Sequence, residues 1–393
     1  MLDLRHHFSR FLHAEPGRLH FAAHSHHPWP DVTREAQLQA WDDAARLMDD
    51  KWEHVLGAVL GEFQGHVAHH LRLPDPATVA VAPNTHEFLK RILSCFAPGK
   101  PIRVLTSDSE FHSFSRQIAR LEEDGLVTVT RVEAQPLETF EERFLAASRQ
   151  GFDLVFVSQV FFNSGYVIHI DRVAAGVGDA MLVIDGYHGF MARPTDLSSI
   201  AARAFYVAGG YKYAMAGEGA CFMHCPPGWG SRPRDTGWYA AFGNLAKAQG
   251  GQVAYSEDSW RFMGSTFDPS GLYRFNAVMR WLKEAGVTIS AIHDHVLSLQ
   301  VRLLESLDGR TGLSANALVV PFDDPRRGNF LTFETSKAPQ IYDRLKALGI
   351  VTDVRGTRLR IGFGIYQTAA EVDEFIRRLD RNGAAAATSA SGT

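Results

Sequence analysis

The chain is poor in cysteine. Its 393 residues include three, Cys95, Cys221 and Cys225, too few for a disulfide framework or a four-ligand zinc set. That usage suits a reducing cytoplasm. Cys221 and Cys225 fall in Cys-Phe-Met-His-Cys, where metal contact competes with the ordinary burial of free thiols. Long apolar runs are also missing. Nothing approaches the ~20 residues of a membrane span, and the opening MLDLRHHFSRFL is charged and His-rich, without the apolar core of a secretory signal. Nor does charge of one sign dominate: 40 Lys and Arg against 44 Asp and Glu leave a net −4. That balance gives no reason to expect nucleic acid or an anionic membrane as partner.

What is present is ordinary globular composition, 45% apolar and 21% charged, in a length that suits one large and one small domain. Helical periodicity over 31–72 leads to a strand over 78–82 and a helix over Glu87–Phe96. Strands and helices then alternate: Ile102–Leu105, helix Ser113–Asp124, Val127–Val132, helix Leu137–Gln150, Leu154–Gln159, and a segment at Asp171–Gly176. This rhythm predicts an α/β fold with a mainly parallel sheet. After about residue 270 the pattern changes. Helices over Gly271–Gly286 and Ile289–Leu307 precede short strands at Leu318–Val320, Asn329–Thr332, Val351–Val354 and Arg358–Gly362, with helices Ala338–Leu348 and Ala369–Arg381. The expected division is an N-terminal arm and active-site loop over 1–30, a large domain over 31–270, a small α+β domain over 271–381, and a disordered Ala/Ser/Gly/Thr-rich tail over 382–393.

Two apolar runs within the alternating region carry the chemistry. Ala180-Met181-Leu182-Val183-Ile184 runs into Asp185-Gly186-Tyr187-His188, and Ala204-Phe205-Tyr206-Val207-Ala208 runs into Gly209-Gly210-Tyr211-Lys212-Tyr213. As neighbouring parallel strands they would deliver an Asp and a Lys into one crevice. A lysine able to form a Schiff base and a carboxylate able to hold a pyridinium nitrogen protonated fit pyridoxal 5'-phosphate (PLP). Glycines at 209, 210, 217 and 219 would let backbone approach a flat cofactor. His188 reads as an imidazole facing the same ligand as Asp185.

Other candidates have competing readings. Asn84-Thr85 opens a helix and is either a phosphate site or a plain N-cap. Phe111, in Glu110-Phe111-His112, either stacks on a pyridine ring or packs a core. Arg360 suits a bidentate grip on an α-carboxylate, with Arg355 and Arg358 as competitors. His24-Ser25-His26-His27-Pro28 looks like a metal site, but adjacent histidines in extended chain point opposite ways. No bound metal is expected, and a loop at an active-site mouth is the reading taken.

These motifs resemble the class V aminotransferase superfamily of fold-type I PLP enzymes, and within it kynureninase. The matching stretches are Tyr211-Lys212-Tyr213 with Gly217-x-Gly219, Asp185-Gly186-Tyr187-His188, the turn Ser158–Gly165, Gly237-Trp238, and Arg360-Ile361-Gly362 through Tyr366. They span about 19–378, nearly the whole chain. The resemblance implies a homodimer with shared active sites. Lys212 would be the Schiff-base lysine, Asp185 the pyridinium partner, and His188 a support for the ring hydroxyl or Asp185. Phe111 would stack on the ring. Asn84, Thr85, Tyr211, Trp238 and Thr266 would hold phosphate, the last two from the partner subunit. Arg360 would bind the substrate carboxylate, with Ser25 on the substrate side.

The implied activity is a kynureninase-like hydrolysis of a side-chain carbon–carbon bond of an amino acid. A class V aminotransferase, another PLP lyase or an epimerase would share its early steps. Three departures bear on the substrate: Leu47–Trp52 lacks the family's His, Phe111-His112-Ser113-Phe114 shortens the stacking loop, and Phe267-Asp268-Pro269 lacks the family's Asn. A cysteine desulfurase is disfavoured because residues 226–393 contain no Cys for a mobile nucleophile. A degenerate PLP-fold binding protein is the reading without enzyme activity, and the intact Lys212 and Asp185 argue against it.

Overall fold

The structure, a computed structural model, describes residues 2–244, 251–307 and 313–390. The chain divides into two compact units: residues 33–162 with 168–280, and residues 1–32 with 163–167 and 281–393.

The larger unit is built on a seven-stranded sheet. Its strand order is Val79–Ala82, Cys221–His224, Ala204–Gly209, Met181–Asp185, Leu154–Ser158, Ile102–Ser107, Val127–Val132. The last five are parallel, and Cys221–His224 runs antiparallel to both its neighbours. Every residue of Leu154–Ser158 and Ala204–Gly209 is buried, with no polar alternation. A run that is apolar on both faces is what a sheet covered on both sides requires. Register places Ser158 opposite Asp185, and Asp185 opposite Val207, so the strands end level with one another. In such sheets ligands bind beyond the carboxyl ends of the strands.

The α/β class and the mainly parallel sheet agree with the sequence reading, which did not anticipate the strand Cys221–His224. Four residues between glycine-rich and proline-rich stretches give too short a period to read. In the smaller unit, the strand expected at Leu318–Val320 reduces to one bridge, Leu318 to Phe333. Pro321 follows, has no N–H and stops a ladder there.

The smaller unit holds a three-stranded antiparallel sheet, ordered Asp353–Arg355, Arg358–Gly362, Phe330–Glu334. The N-terminal segment belongs to it rather than standing apart as an arm. Leu19–His20 pairs in parallel with Ile350–Val351, and Phe21 lies in its core, 5.6 Å from Phe363 and 5.0 Å from Phe375 between ring centroids. The boundary falls at 280/281, ten residues past the expected one. The first turns of the helix Ser270–Glu284 are tied to the larger unit, Arg274 Nε donating to the Ala216 carbonyl (2.8 Å) and Asn276 to the Val59 carbonyl (2.9 Å). The last helix runs Ala369–Ala390, through most of the stretch expected to be a disordered tail. Its Ala384–Ala387 run is the best of helix formers, which outweighs low complexity. Residues 391–393 lie outside the described residues.

Asp353 and Arg360 face each other across two strands of the small sheet and form an ion pair. Burial opposes ionisation of Asp353, but His24, Arg360 and Arg355 together bring its pKa down to about 2. A depressed carboxylate stabilises the fold above its unfolded value near ~3.9, and that stability is lost as pH falls towards about 2. Asp353→Asn should therefore cost at least about 2 kcal/mol at pH 6 and little near pH 2, read by urea unfolding at the two pH values. An equal cost at both would show that the carboxylate charge is not what matters.

Candidate active site

The strand Met181–Asp185 ends on a carboxylate held by its own turn, the Tyr187 N–H donating to Asp185 Oδ1 at 2.9 Å. Gly186 permits this turn because any Cβ there would overlap the Tyr206 ring. The neighbouring strand Ala204–Gly209 ends in a glycine pair. A Cβ on Gly209 would lie 2.6 Å from the Tyr187 hydroxyl and 2.9 Å from the Ala220 carbonyl. Three residues on comes Lys212, itself buried. Its Nζ lies 2.7 Å from His188 Nε2 and 3.3 Å from Nδ1, and 5.3 and 5.6 Å from the ring centroids of Phe111 and Tyr187. Two aromatic faces and an imidazole thus surround the amine, a setting that tolerates its charge through the ring quadrupoles.

These groups line a cavity of about 540 Å³. It gathers Asn84, Thr85 and Phe111 with Asp185, His188, Tyr211 and Lys212 from four separate chain segments. Asn84 is the N-cap of the helix Thr85–Ser94, its Oδ1 accepting from the Glu87 N–H at 3.2 Å. Phe114 and Phe156, stacked at 3.8 Å between centroids, form an apolar wall. Burial raises the Asp185 carboxyl above the usual range, against the pull of the Tyr187 N–H and the Lys212 charge. Burial, with Cys221 and Asp185 nearby, pushes the Tyr187 phenol well up and keeps it protonated.

The remaining sequence candidates lie elsewhere. Thr266 lines a second cavity of about 290 Å³ with Arg91, Thr236 and Ser265. Trp238 is 43% exposed and stacks on Tyr239 at 4.1 Å. Ser25 and Arg360 belong to the smaller unit. The Ser25 N–H donates to the Ala22 carbonyl at 2.9 Å, and Arg360 is buried against Asp353. His24 is buried and stacks on Phe330 at 4.7 Å. Among the described residues no group of three or more His, Cys, Asp or Glu side chains could hold a metal ion. Sequence reasoning missed Tyr187, Ser158 and Glu110. Each sits inside a motif that was read for a neighbour, Tyr187 within Asp-Gly-Tyr-His and Glu110 before Phe111. The buried side of a strand-end turn leaves no periodic signal.

Cys221 and Cys225 sit in the antiparallel strand and just after it. Cys221 Sγ donates to the Ala208 carbonyl at 3.2 Å. Burial pushes these two thiols and Cys95 up to about 12. The thiolate is the reactive form, so the native protein at pH 8 should resist iodoacetamide at all three positions while the urea-unfolded chain takes up three equivalents. Rapid native labelling counted by mass spectrometry would contradict the burial described.

The cavity suits PLP by the chemistry of its groups: an amine for the aldehyde, a carboxylate for the ring nitrogen, aromatic faces, and a helix N-terminus able to bind phosphate. Residues 54–375 match the class-V aminotransferase family model. No curated protein sequence matches the chain. Among solved structures it is similar to the apo cysteine desulfurase of Thermococcus onnurineus NA1, at 16% identity and TM-score 0.80 over 97% of this chain and 99% of that one. It is also similar to a cystine C–S lyase in complex with its reaction product cysteine persulfide, at 14% identity and TM-score 0.77 over 92% and 97%. A mutant of that lyase, with glycine covalently linked to its PLP cofactor, matches at 14% identity and TM-score 0.76 over 95% and 98%. Likeness at these identities establishes a shared fold. With a family match over most of its length, the chain belongs to the class-V aminotransferase family, and it is a fold-type I enzyme whose cofactor is pyridoxal 5'-phosphate.

Proposed function

We propose that this enzyme cleaves the side chain of an amino acid, as a kynureninase-like hydrolase of a carbon–carbon bond. The observation that carries the reading is the Lys212 amine, 2.7 Å from His188 in a cavity that also holds Asp185. Bound PLP supplies an electron sink for the pair left behind when a bond at the substrate α-carbon breaks. Lys212 Nζ, once free and neutral, takes the α-proton, and His188 Nε2 is close enough to relay it. Asp185 keeps a cationic ring nitrogen paired, and Phe111 and Tyr187 flank the amine and limit water. Asn84, Thr85 and Tyr211 are proposed to hold the phosphate end.

Arg360 is proposed to grip the substrate carboxylate, and Ser25 is proposed as a second substrate contact. Asp353 already engages its guanidinium, so a substrate carboxylate would compete for the same N–H groups. Trp238 and Thr266 are proposed as phosphate contacts given by a second subunit of a homodimer, in keeping with their places outside this chain's own cavity. The thiols are free, which is compatible with the reducing cytoplasm proposed as its location. Among the described residues no helix is long and apolar enough to cross a membrane.

A second reading, lysis of a carbon–sulfur bond, is favoured by the activity of one fold relative. It needs no cysteine of the protein. A desulfurase with its own nucleophilic thiol is disfavoured, since residues 226–393 lack Cys and all three thiols are pushed up to about 12. The two readings separate by product. The holoenzyme mixed with a panel including kynurenine, cystine, cysteine and alanine should give spectral change and release of alanine from a γ-keto amino acid. Pyruvate, ammonia and sulfur products from cystine would transfer the assignment to the lyase. A Lys212→Ala protein should turn over none of them, since a missing proton acceptor removes ~10²–10⁴-fold before the loss of cofactor attachment is counted.

A further inference from the structure

Glu110 lies in the turn between the strand Ile102–Ser107 and the helix His112–Glu123. Its neighbour Phe111 faces the cavity, while Glu110 is only 4% exposed. Its Oε1 accepts from the Ser107 hydroxyl and its Oε2 from the Ser158 hydroxyl, both at 2.5 Å. Ser158 is the register partner of Asp185 on the adjoining parallel strand. Two carboxyls thus lie at the same edge of the sheet beneath one cavity, with the strand Leu154–Ser158 between them. Among the described residues no ion pair to Glu110 is found, and the nearby carboxylate of Asp108 is turned to the Ser109 hydroxyl and the Ala134 N–H, both at 2.9 Å. Lys212 acts on Asp185 from the cavity side.

An unpaired buried carboxyl is expensive, and a glutamine or an apolar residue could cap the same turn. Two buried carboxyls at one sheet edge share a low-dielectric setting, so the charge on one bears on the other. Burial, opposed by the two serine hydroxyls and reinforced by Asp185, brings Glu110 up to about 7, so its charge is available to change near neutrality.

We propose that Glu110 is a positioning residue of the cofactor site, acting through Asp185 to set how firmly the cofactor's ring nitrogen holds its proton. A negative Glu110 behind Asp185 favours positive charge in the cavity, and a neutral Glu110 releases it. The inference rests on Asp185 being the partner of that nitrogen.

The test is a pH titration, from 5 to 10, of the visible absorption band of the PLP-loaded enzyme in the wild type, E110Q and S107A. Glutamine keeps the shape and the acceptor but not the charge. E110Q should still bind PLP, with the midpoint of the spectral titration lowered by about half a unit to one unit. S107A removes a donor that favours charged Glu110, so it should move the midpoint the same way by less. A structural role alone would lower the melting temperature and leave both midpoints at the wild-type value, which would overturn the proposal. If E110Q does not fold, the S107A midpoint decides. D185A separates this inference from the reading beneath it. A D185A protein with wild-type spectrum and PLP affinity would remove Asp185 as the nitrogen's partner. A changed D185A beside an unchanged E110Q would remove only the role of Glu110.

Discussion

Parallel pairing of Leu154–Ser158, Met181–Asp185 and Ala204–Gly209 is the constraint on which the rest of the site depends. In-register parallel strands end at one level, so Ser158, Asp185 and the turn to Lys212 emerge side by side. Side chains alternate along a strand, and a slip of one residue would turn Asp185 to the opposite face. What fixes the register is the packing of both faces: Leu182, Val183 and Ile184 are fully buried, and Phe205 and Tyr206 lie beside them. Carboxylate and amine are thus placed by apolar packing, with no long-range polar contact needed to align them.

That same dryness sets the chemistry. Burial raises Asp185 and Glu110 and holds Tyr187 and the thiols protonated. Lys212 is kept among aromatic faces with His188 as its close polar neighbour. A cationic ligand ring would relieve the cost of the two carboxyls. Buried carboxyls pushed up in this way suit a ligand that brings positive charge.

Much of this was legible in the sequence. The α/β rhythm follows from apolar runs without alternation, which only doubly covered parallel strands require, and Asp185 and Lys212 stand where such runs stop. The short antiparallel strand Cys221–His224 was not legible, because four residues carry no period. The alanine run of the last helix was read for low complexity instead of propensity. Within the site, Asn84, Thr85, Phe111, His188 and Tyr211 were named from motifs and share the cavity. Glu110 and Ser158 were not, since what marks them is a hydrogen bond between residues 48 apart in sequence. Trp238 and Thr266, which the motifs assign to a second subunit, lie outside the cavity that holds Lys212.

The central claim is that Lys212, delivered beside Asp185 by two parallel strands, carries the cofactor. The most direct measurement is borohydride reduction of the PLP-loaded protein followed by peptide mapping. The account predicts the reduced cofactor mass on the peptide holding Gly209-Gly210-Tyr211-Lys212-Tyr213, absent after Lys212→Ala. Attachment to any other lysine of the wild-type protein would contradict it.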